Sequence, residues 1–167
     1  MNSGAKLVTD PFTGKPVCLL PAINPDVAMI HVHEADVYGN ARVYGPNVCA
    51  LETAMAAKRT IISTEEILDS ESFRRSPQHT TIPHFVVDAV VHAPFGAWPW
   101  FLVGRYAFDH EHAIEQAIAS FDPERMEDYL DKYIYSVESD REMFEKCVAE
   151  GRLSELEGAE TVTEGYR

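Results

Sequence analysis

The chain has 167 residues, of which 46% are hydrophobic and 25% are charged, a balance typical of one globular domain with a hydrophobic core. Its 14 lysines and arginines are outnumbered by 27 aspartates and glutamates, which gives a formal net charge of −13. Because so acidic a surface repels nucleic-acid phosphates and anionic membranes, neither is an expected partner.

The cysteine pattern and the hydropathy indicate a cytoplasmic protein. Cys18, Cys49 and Cys147 are far apart and form no CxxC pair. An odd number of separated cysteines predicts reduced thiols rather than a disulfide framework. No apolar run approaches the ~18 residues of a membrane span, and the first residues lack the apolar core of a secretory signal.

Short apolar runs alternate with helix-forming stretches over the first two thirds of the chain. A nearly continuous apolar run between turn signals is typical of a strand buried on both faces, as in a parallel sheet. The elements predicted in this part are a turn at 10–16, strands at 27–33, 41–44, 60–63 and 86–91, a turn at Gly39 and Asn40, and a helix at 48–59.

Two adjacent acidic residues follow the strand predicted at 60–63. The pattern predicts a helix start at 64–68, with Ser63 as its cap and Glu66 closing a capping box. Glu65 and Glu66 are then interpreted as acidic residues that stabilise the first turn of this helix. A catalytic role for either glutamate is the less favoured alternative.

The last part of the chain combines an aromatic loop with a helical tail. Residues 94–101 contain two prolines and a glycine among four aromatic side chains, without simple periodicity. Helices are predicted at 111–120, 123–136 and 139–150, with Asp122 capping the second and Pro123 in its first turn. Strands alternating with helices, followed by a helical tail, predict an α/β domain.

Four segments in register carry a resemblance to a known family. They are the residues INPDVAMIHVHEADVYGN at 23–40, IISTEEI at 61–67, IPHFVVDAVV at 82–91 with PFGAWP at 94–99, and GRY at 104–106 with Asp109. Together they resemble the alpha subunits of family I coenzyme A transferases, the glutaconate CoA-transferase group. The resemblance covers about residues 10–125.

The resemblance implies both a fold and a domain organisation. It implies a Rossmann-like, open and mostly parallel sheet of the NagB/RpiA-like type, here partial and followed by a helical tail. Residues 1–156 would form the C-terminal part of an alpha-subunit domain, and 157–167 a disordered acidic tail. Family subunits are about twice as long, and the Gly-rich stretch of their first half has no counterpart here.

The resemblance also implies the chemistry. Family transferases use a glutamate that attacks the acyl-CoA carbonyl, forms a mixed anhydride and then a glutamyl-CoA thioester. In two-subunit members that glutamate lies on the beta subunit, in a Ser-Glu-Asn-Gly-like turn that this chain lacks. We therefore expect no catalytic residue and no permanently bound cofactor here, with coenzyme A as a cosubstrate. The expected assembly is a hetero-oligomer with the missing N-terminal half and a beta subunit, inactive without them.

Two groups of residues are the candidate substrate-binding site. The first is Asp36, Gly39 and Asn40, which follow a predicted strand where open α/β sheets bind ligands. The role that the pattern favours for them is local, an aspartate that hydrogen-bonds its own turn, and lining a substrate pocket is the alternative. The second group is in the aromatic loop: Phe95, Gly96 and Trp98. The family usually has histidine at the position of Trp98, which implies an altered acyl pocket; core or interface packing is the alternative for this loop.

Other functions remain open at the level of sequence. The resemblance extends to a hydrolase pair of the same fold that opens a ring in steroid catabolism. A non-catalytic assembly module is possible because half a sheet leaves an unpaired strand edge. His31 and His33 share one side of a predicted strand and could begin a metal site. The remaining histidines lack suitable spacing, so no metal is expected.

Overall fold

The structure is a computed structural model, and it describes residues 4–148 and 150–161. The strands are β1 (Lys6–Thr9), β2 (Pro16–Leu19), β3 (Val27–Ala35), β4 (Ala41–Arg42), β5 (Arg59–Ile67) and β6 (Ala89–His92). The helices are α1 (Ala50–Ala56), α2 (Ser70–Arg75), α3 (His110–Ala119), α4 (Pro123–Leu130), α5 (Asp140–Cys147) and α6 (Arg152–Thr161). Short 3-10 turns lie at Pro77–His79 and His84–Val86, and a π-helical turn at Asp131–Tyr135 extends α4.

The main sheet has four strands in the order β4-β3-β5-β6. The pairs β3–β5 and β5–β6 are parallel, and the short β4 runs antiparallel to β3. The α/β class and the mostly parallel sheet predicted from the sequence are confirmed. A separate antiparallel hairpin of β1 and β2 surrounds the turn predicted at 10–16. Its strands are exposed throughout, and sequence periodicity did not predict them.

The hydrophobic core lies on one face of this sheet. Because side chains alternate between faces along a strand, Val32 of β3 and Ile62 of β5 point to the same side. Both are fully buried, and Ala54 of α1 and Ile82 pack with them. Helix α1, which connects β4 to β5, therefore covers this face and completes an ordinary crossover between parallel strands.

The opposite face of the sheet is covered over only part of its area. It carries His31 of β3 with Ser63 and Glu65 of β5, since His31 and Ser63 are register partners. The loop 93–106 packs over these three residues, through the contacts described below. Further along the same face, Met29 is 81% exposed and Val91 is 49% exposed. The covered part of this face is the more polar one.

The helix predicted at 64–68 is wrong, because β5 continues through Ile67. Its partner β3 extends to Ala35, and the parallel register continues with Glu34 beside Glu66 and Ala35 beside Ile67. The tertiary pairing overrides the local capping pattern. The next helix, α2, instead begins after Asp69, whose carboxylate accepts a hydrogen bond from the Glu71 amide.

Four helices form the C-terminal layer. Asp122 caps α4 and Pro123 occupies its first turn, as predicted. Helix α6 runs through Thr161, so residues 157–161 of the predicted tail are helical, and residues 162–167 lie outside the described residues. Within residues 4–148 and 150–161, none of the helices has the length and apolarity needed to cross a membrane.

Candidate functional site

The first polar cluster is built around the carboxylate of Glu65. Its Oε1 atom lies 2.7 Å from His31 Nε2 and accepts a second hydrogen bond from the Tyr106 hydroxyl at 2.7 Å. Its Oε2 atom accepts from the Phe95 amide at 2.8 Å. His31 Nδ1 in turn lies 2.9 Å from Ser63 Oγ. Two strands and the loop 93–106 therefore meet at one carboxylate, whose side chain is only 8% exposed.

The electrostatics of this cluster favour an ionised glutamate. Burial alone would raise the pKa of Glu65, but the hydrogen bonds from His31, Tyr106 and the Phe95 amide outweigh it, so the pKa is lowered. Burial raises the pKa of Tyr106, and its hydrogen bond to Glu65 raises it further. The phenol therefore stays a donor to Glu65 while it accepts from the Ala97 amide at 3.0 Å.

The loop residues Phe95 and Gly96 are pressed against this cluster. Phe95 has a positive φ of 59°, rare for a bulky side chain, and its ring lies 5.0 Å from that of Tyr106. A Cβ atom on Gly96 would lie 2.7 Å from His31 Cε1 and 2.8 Å from the Ala93 carbonyl oxygen. Glycine is therefore required at this position, because any side chain would clash with both the imidazole ring and a backbone oxygen.

Trp98 faces the helical layer. Its Nε1 donates to Asp109 Oδ2 at 3.1 Å, and its ring centroid lies 4.0 Å from that of His112 at a tilt of 46°, with Phe144 at its edge. Asp109 also accepts from Arg152 at 2.8 Å and caps α3. Trp98 thus joins the loop to α3 and α5, which matches the packing alternative for this residue.

The second polar cluster is the turn after β3. Asp36 is fully buried, and its Oδ1 accepts from the amides of Tyr38 at 3.0 Å and Asn40 at 2.9 Å. Its Oδ2 accepts from Asn40 Nδ2 at 2.8 Å. Burial would raise the pKa of Asp36, but the bonds from Asn40, Ser70 and Tyr38 prevail and lower it. The turn role predicted for Asp36 is therefore present.

The same turn also borders a cleft of about 420 Å³ beside the end of β3. Its walls combine apolar and polar side chains: Asp36, Tyr38, Asn40, Ser70, Phe73, Arg74, Pro77, Thr80 and His84. Gly39, with φ of 102°, packs closely against Val87, and a Cβ on Gly39 would lie 2.8 Å from Val87 Cβ. Asp36 and Asn40 thus combine a local structural role with a position beside a cavity.

The structure also accounts for the two histidines considered as metal ligands. His33 Nε2 lies 2.9 Å from the Val103 carbonyl and His33 Nδ1 accepts from the Tyr44 amide at 3.2 Å, while both nitrogens of His31 are bonded as above. Burial lowers the pKa of His33, consistent with a neutral ring. No group of three or more His, Cys, Asp or Glu suited to a metal ion occurs among the described residues.

Three residues of the Glu65 cluster were missed as site candidates. The sequence pattern assigned Glu65 to helix capping, indicated His31 only as a metal ligand, and included Tyr106 only as part of a motif. One signal was available: if β5 is extended by two residues, His31, Ser63 and Glu65 all fall on the same face of a parallel sheet. The contact of Tyr106 with Glu65, 41 residues apart, has no such local signal.

An open, mostly parallel sheet with buried polar residues in its loops defines the α/β class in which ligands bind beside the strand ends. More narrowly, this chain belongs to the coenzyme A transferase family, whose pattern matches residues 3–93. The predicted family resemblance is confirmed.

Curated relatives and a solved structure support this assignment. The chain is 32% identical over 91% of its length to one subunit of the 3-oxoadipate CoA-transferase of Pseudomonas knackmussii, of which it covers 53%. It is 29% identical over 87% of its length to one subunit of a cholesterol ring-cleaving hydrolase of Rhodococcus jostii, of which it covers 52%. The crystal structure of glutaconate coenzyme A-transferase from Acidaminococcus fermentans matches 96% of this chain with a TM-score of 0.89 and 32% identity, over 50% of that chain.

These relatives are longer than this chain. It spans between a third and about half of the length of the curated relatives that it matches, 36% of one and 53% of another. The chain is therefore the counterpart of one part of a longer subunit.

Proposed function

We propose that this chain forms part of the alpha subunit of a coenzyme A transferase that moves coenzyme A between an acyl-CoA and a carboxylic acid. A partner beta subunit supplies the catalytic glutamate, and coenzyme A is a cosubstrate rather than a bound cofactor. The observation that carries this proposal is the match of nearly the whole chain to glutaconate coenzyme A-transferase, at a TM-score of 0.89. The similarity to the 3-oxoadipate CoA-transferase points to the same reaction class.

The state of the buried carboxylates supports a nucleophile on another chain. Asp36 and Asp109 are buried, the side chain of Glu65 is 8% exposed, and each of the three accepts at least three hydrogen bonds. Donors that stabilise the negative charge of a carboxylate lower its pKa and weaken it as a nucleophile. All three are suited to holding structure, and attack on an acyl-CoA carbonyl requires a less fully bonded glutamate.

The loop 93–106 and the turn after β3 are the proposed contributions to substrate binding. Phe95 and Gly96 lie against His31, and Asp36 and Asn40 line the cleft beside β3, while Gly39 allows the turn between them to pack against Val87. Trp98 contributes indirectly, by fixing the loop to the helical layer. With a net charge of −13, this chain is poorly equipped to bind the phosphates of coenzyme A, so we assign those contacts to the partner.

The test is an exchange assay with and without partner chains. The purified chain is mixed with two partners from the same genome, the N-terminal half of an alpha subunit with its beta subunit. An acyl-CoA and an isotopically labelled acid such as glutaconate or 3-oxoadipate are then added. The expected result is labelled acyl-CoA, with total thioester conserved, only in the complete mixture. Exchange by the chain alone, or no exchange by a complete and stably assembled mixture, would contradict the proposal.

A ring-opening hydrolase is the second candidate, favoured by the similarity to the cholesterol ring-cleaving hydrolase. The same assay separates the two reactions by mass. A transferase changes which acid carries coenzyme A, whereas a ring-opening hydrolase adds one water to a cyclic acyl-CoA and leaves the thioester in place. If a complex assembles but neither product forms with any substrate, the non-catalytic assembly role gains support.

We also propose a cytoplasmic location and a hetero-oligomeric state. Cys18 and Cys49 are free and exposed, as suits a reducing compartment. The uncovered part of the sheet face around Met29 and Val91 offers apolar area for a partner chain. Light scattering of the mixture measures whether such a complex forms.

A further inference from the structure

Glu65 can only accept hydrogen bonds from its partners. An ionised carboxylate has no proton to donate, so every partner of Glu65 must be a donor. The Phe95 amide and the Tyr106 hydroxyl fill this role, at 2.8 Å and 2.7 Å. The third partner is His31 Nε2, at 2.7 Å.

This direction selects one tautomer for the neutral form of His31. In that form the imidazole carries one proton, and its contact with the ionised Glu65 requires that proton on Nε2. Nδ1 is then an acceptor, and it receives the hydroxyl proton of Ser63, whose Oγ lies 2.9 Å away. In the neutral ring, the order of donors and acceptors therefore runs from Ser63 through His31 to Glu65.

The loop residue held by Glu65 has an unfavourable backbone conformation. Phe95 has φ of 59°, which costs free energy for a bulky residue and persists only where its surroundings enforce it. Its amide donates to Glu65 Oε2, and the next residue, Gly96, lies against the His31 ring. Glu65 thus binds both Phe95, the strained residue, and His31, whose ring contacts Gly96.

We infer that Glu65 is a positioning residue of the proposed substrate loop: it holds Phe95 and Gly96 in place and fixes His31 as the Nε2-protonated tautomer. That the loop binds substrate rests on the proposed function. The arrangement of Glu65 and His31 does not depend on it. Glu65 does not contact substrate; it acts through Phe95, Gly96 and His31.

The substitution Glu65→Gln separates this role from simple packing. Glutamine has almost the same shape, but one oxygen becomes an NH₂ group. If that group faces the Phe95 amide, two donors point at each other; if it faces His31, the ring must move its proton to Nδ1 and Ser63 loses its acceptor. Glu66→Gln is the matched control, because the adjacent Glu66 side chain is 50% exposed and pairs with Arg105.

The first measurement uses the chain itself. Nitrogen-15 NMR of the imidazole rings reports the protonated nitrogen of His31, and hydrogen exchange reports the Phe95 amide. We expect the Nε2-protonated form in the wild type and in Glu66→Gln, and in Glu65→Gln either the other tautomer or exchange of the Phe95 amide that is faster by about tenfold or more. An Nδ1-protonated wild type, or a Glu65→Gln chain identical to it, would overturn the inference. Tyr106→Phe, which removes one donor, gives a milder second variant if Glu65→Gln folds poorly.

The second measurement uses the complete exchange mixture. Because a misplaced loop weakens substrate binding, we expect Glu65→Gln to raise the KM for the acid by about tenfold, with a smaller change in kcat. Glu66→Gln removes only an exposed ion pair with Arg105 of the same loop, so its change in KM should be several-fold smaller. Unchanged kinetics in a Glu65→Gln complex with altered NMR signals would show a role in folding alone and overturn the positioning role. Absence of exchange by the wild-type complex would contradict the proposed function instead, and the NMR result would still decide how Glu65 holds His31.

Discussion

Two buried carboxylates of this protein are stabilised in opposite ways. Most donors to Asp36 lie two to four residues away, in the turn that it closes, and Ser70 adds one from further along the chain. Glu65 is bonded by His31, Phe95 and Tyr106, which lie 30 to 41 residues away along the chain. In both cases the pKa of the carboxyl group is lowered, but only for Asp36 do most of the donors belong to its own turn. The comparison shows that equal burial can reflect a local turn or a tertiary junction.

The difference has a consequence for substitutions. Most donors around Asp36 belong to one short turn whose Tyr38 side chain is 67% exposed, so a small local adjustment can bring them to water when the acceptor is removed. The donors around Glu65 belong to separate elements and are covered by the loop 93–106. An unsatisfied group there bears the full cost of desolvation, so Glu65 should be the more sensitive of the two positions.

The largest effect is expected for Glu65→Gln. Charged hydrogen bonds are worth about 1.5–3 kcal/mol each, and at least one donor loses its acceptor, so we expect the free energy of unfolding to fall by about 3 kcal/mol. Urea unfolding followed by circular dichroism measures the change. A loss below about 1 kcal/mol would show that the junction tolerates a neutral amide and would remove the contrast with Asp36.

The next effect tests the glycine above His31. Gly96→Ala places a methyl group 2.7 Å from His31 Cε1 and 2.8 Å from a backbone oxygen, so the loop must move. We expect a loss of about 2 kcal/mol, as for other overpacked sites. Gly158→Ala is the control, since no atom lies within 4 Å of the added methyl group and alanine favours the helix there. Equal stability of both variants would mean that the loop does not rest on the ring.

The same contrast explains what the sequence could predict. The strands 27–33 and 60–63, the helix caps Asp122 and Pro123, and the turn of Asp36 with Asn40 all depend on neighbours within a few residues, and the structure confirms them. The family was predictable from motifs in register. The role of Glu65 was not, because a capping pattern of local residues competed with pairing to a strand about 30 residues away.

A moderate effect is expected for Asp36→Asn. The amide oxygen can still accept from the amides of Tyr38 and Asn40, whereas the bond from Asn40 Nδ2 is lost and Ser70 no longer faces a charged acceptor. We expect the free energy of unfolding to fall by about 1 kcal/mol, clearly less than for Glu65→Gln in the same urea assay. A larger loss at Asp36 than at Glu65 would reverse the comparison.

The dependence of stability on pH tests both carboxylates in one experiment. Because the folded pKa of each is lowered, the unfolded chain takes up protons first as the pH falls, so stability is lost below the ordinary values of 4.5 for Glu65 and 3.8 for Asp36. Glu65→Gln removes one of these groups, and we expect its stability to fall less steeply than that of the wild type between about pH 5 and pH 3. Unfolding free energies measured in urea at several pH values give the slopes, and parallel slopes would mean that Glu65 is not preferentially ionised in the folded state.

The smallest effect is expected one residue further along β5. Glu66 points to the other face of the strand from Glu65, and its ion pair with Arg105 at 2.9 Å is 50% and 37% exposed on the two sides. Exposed pairs contribute about 0–1 kcal/mol and are screened by salt, so Glu66→Gln should cost less than about 1 kcal/mol and almost nothing in about 0.5 M salt. Urea unfolding at two salt concentrations measures this. If Glu66→Gln lowered the free energy of unfolding as much as Glu65→Gln at both salt concentrations, burial beneath the loop 93–106 would not be the cause of the loss at Glu65.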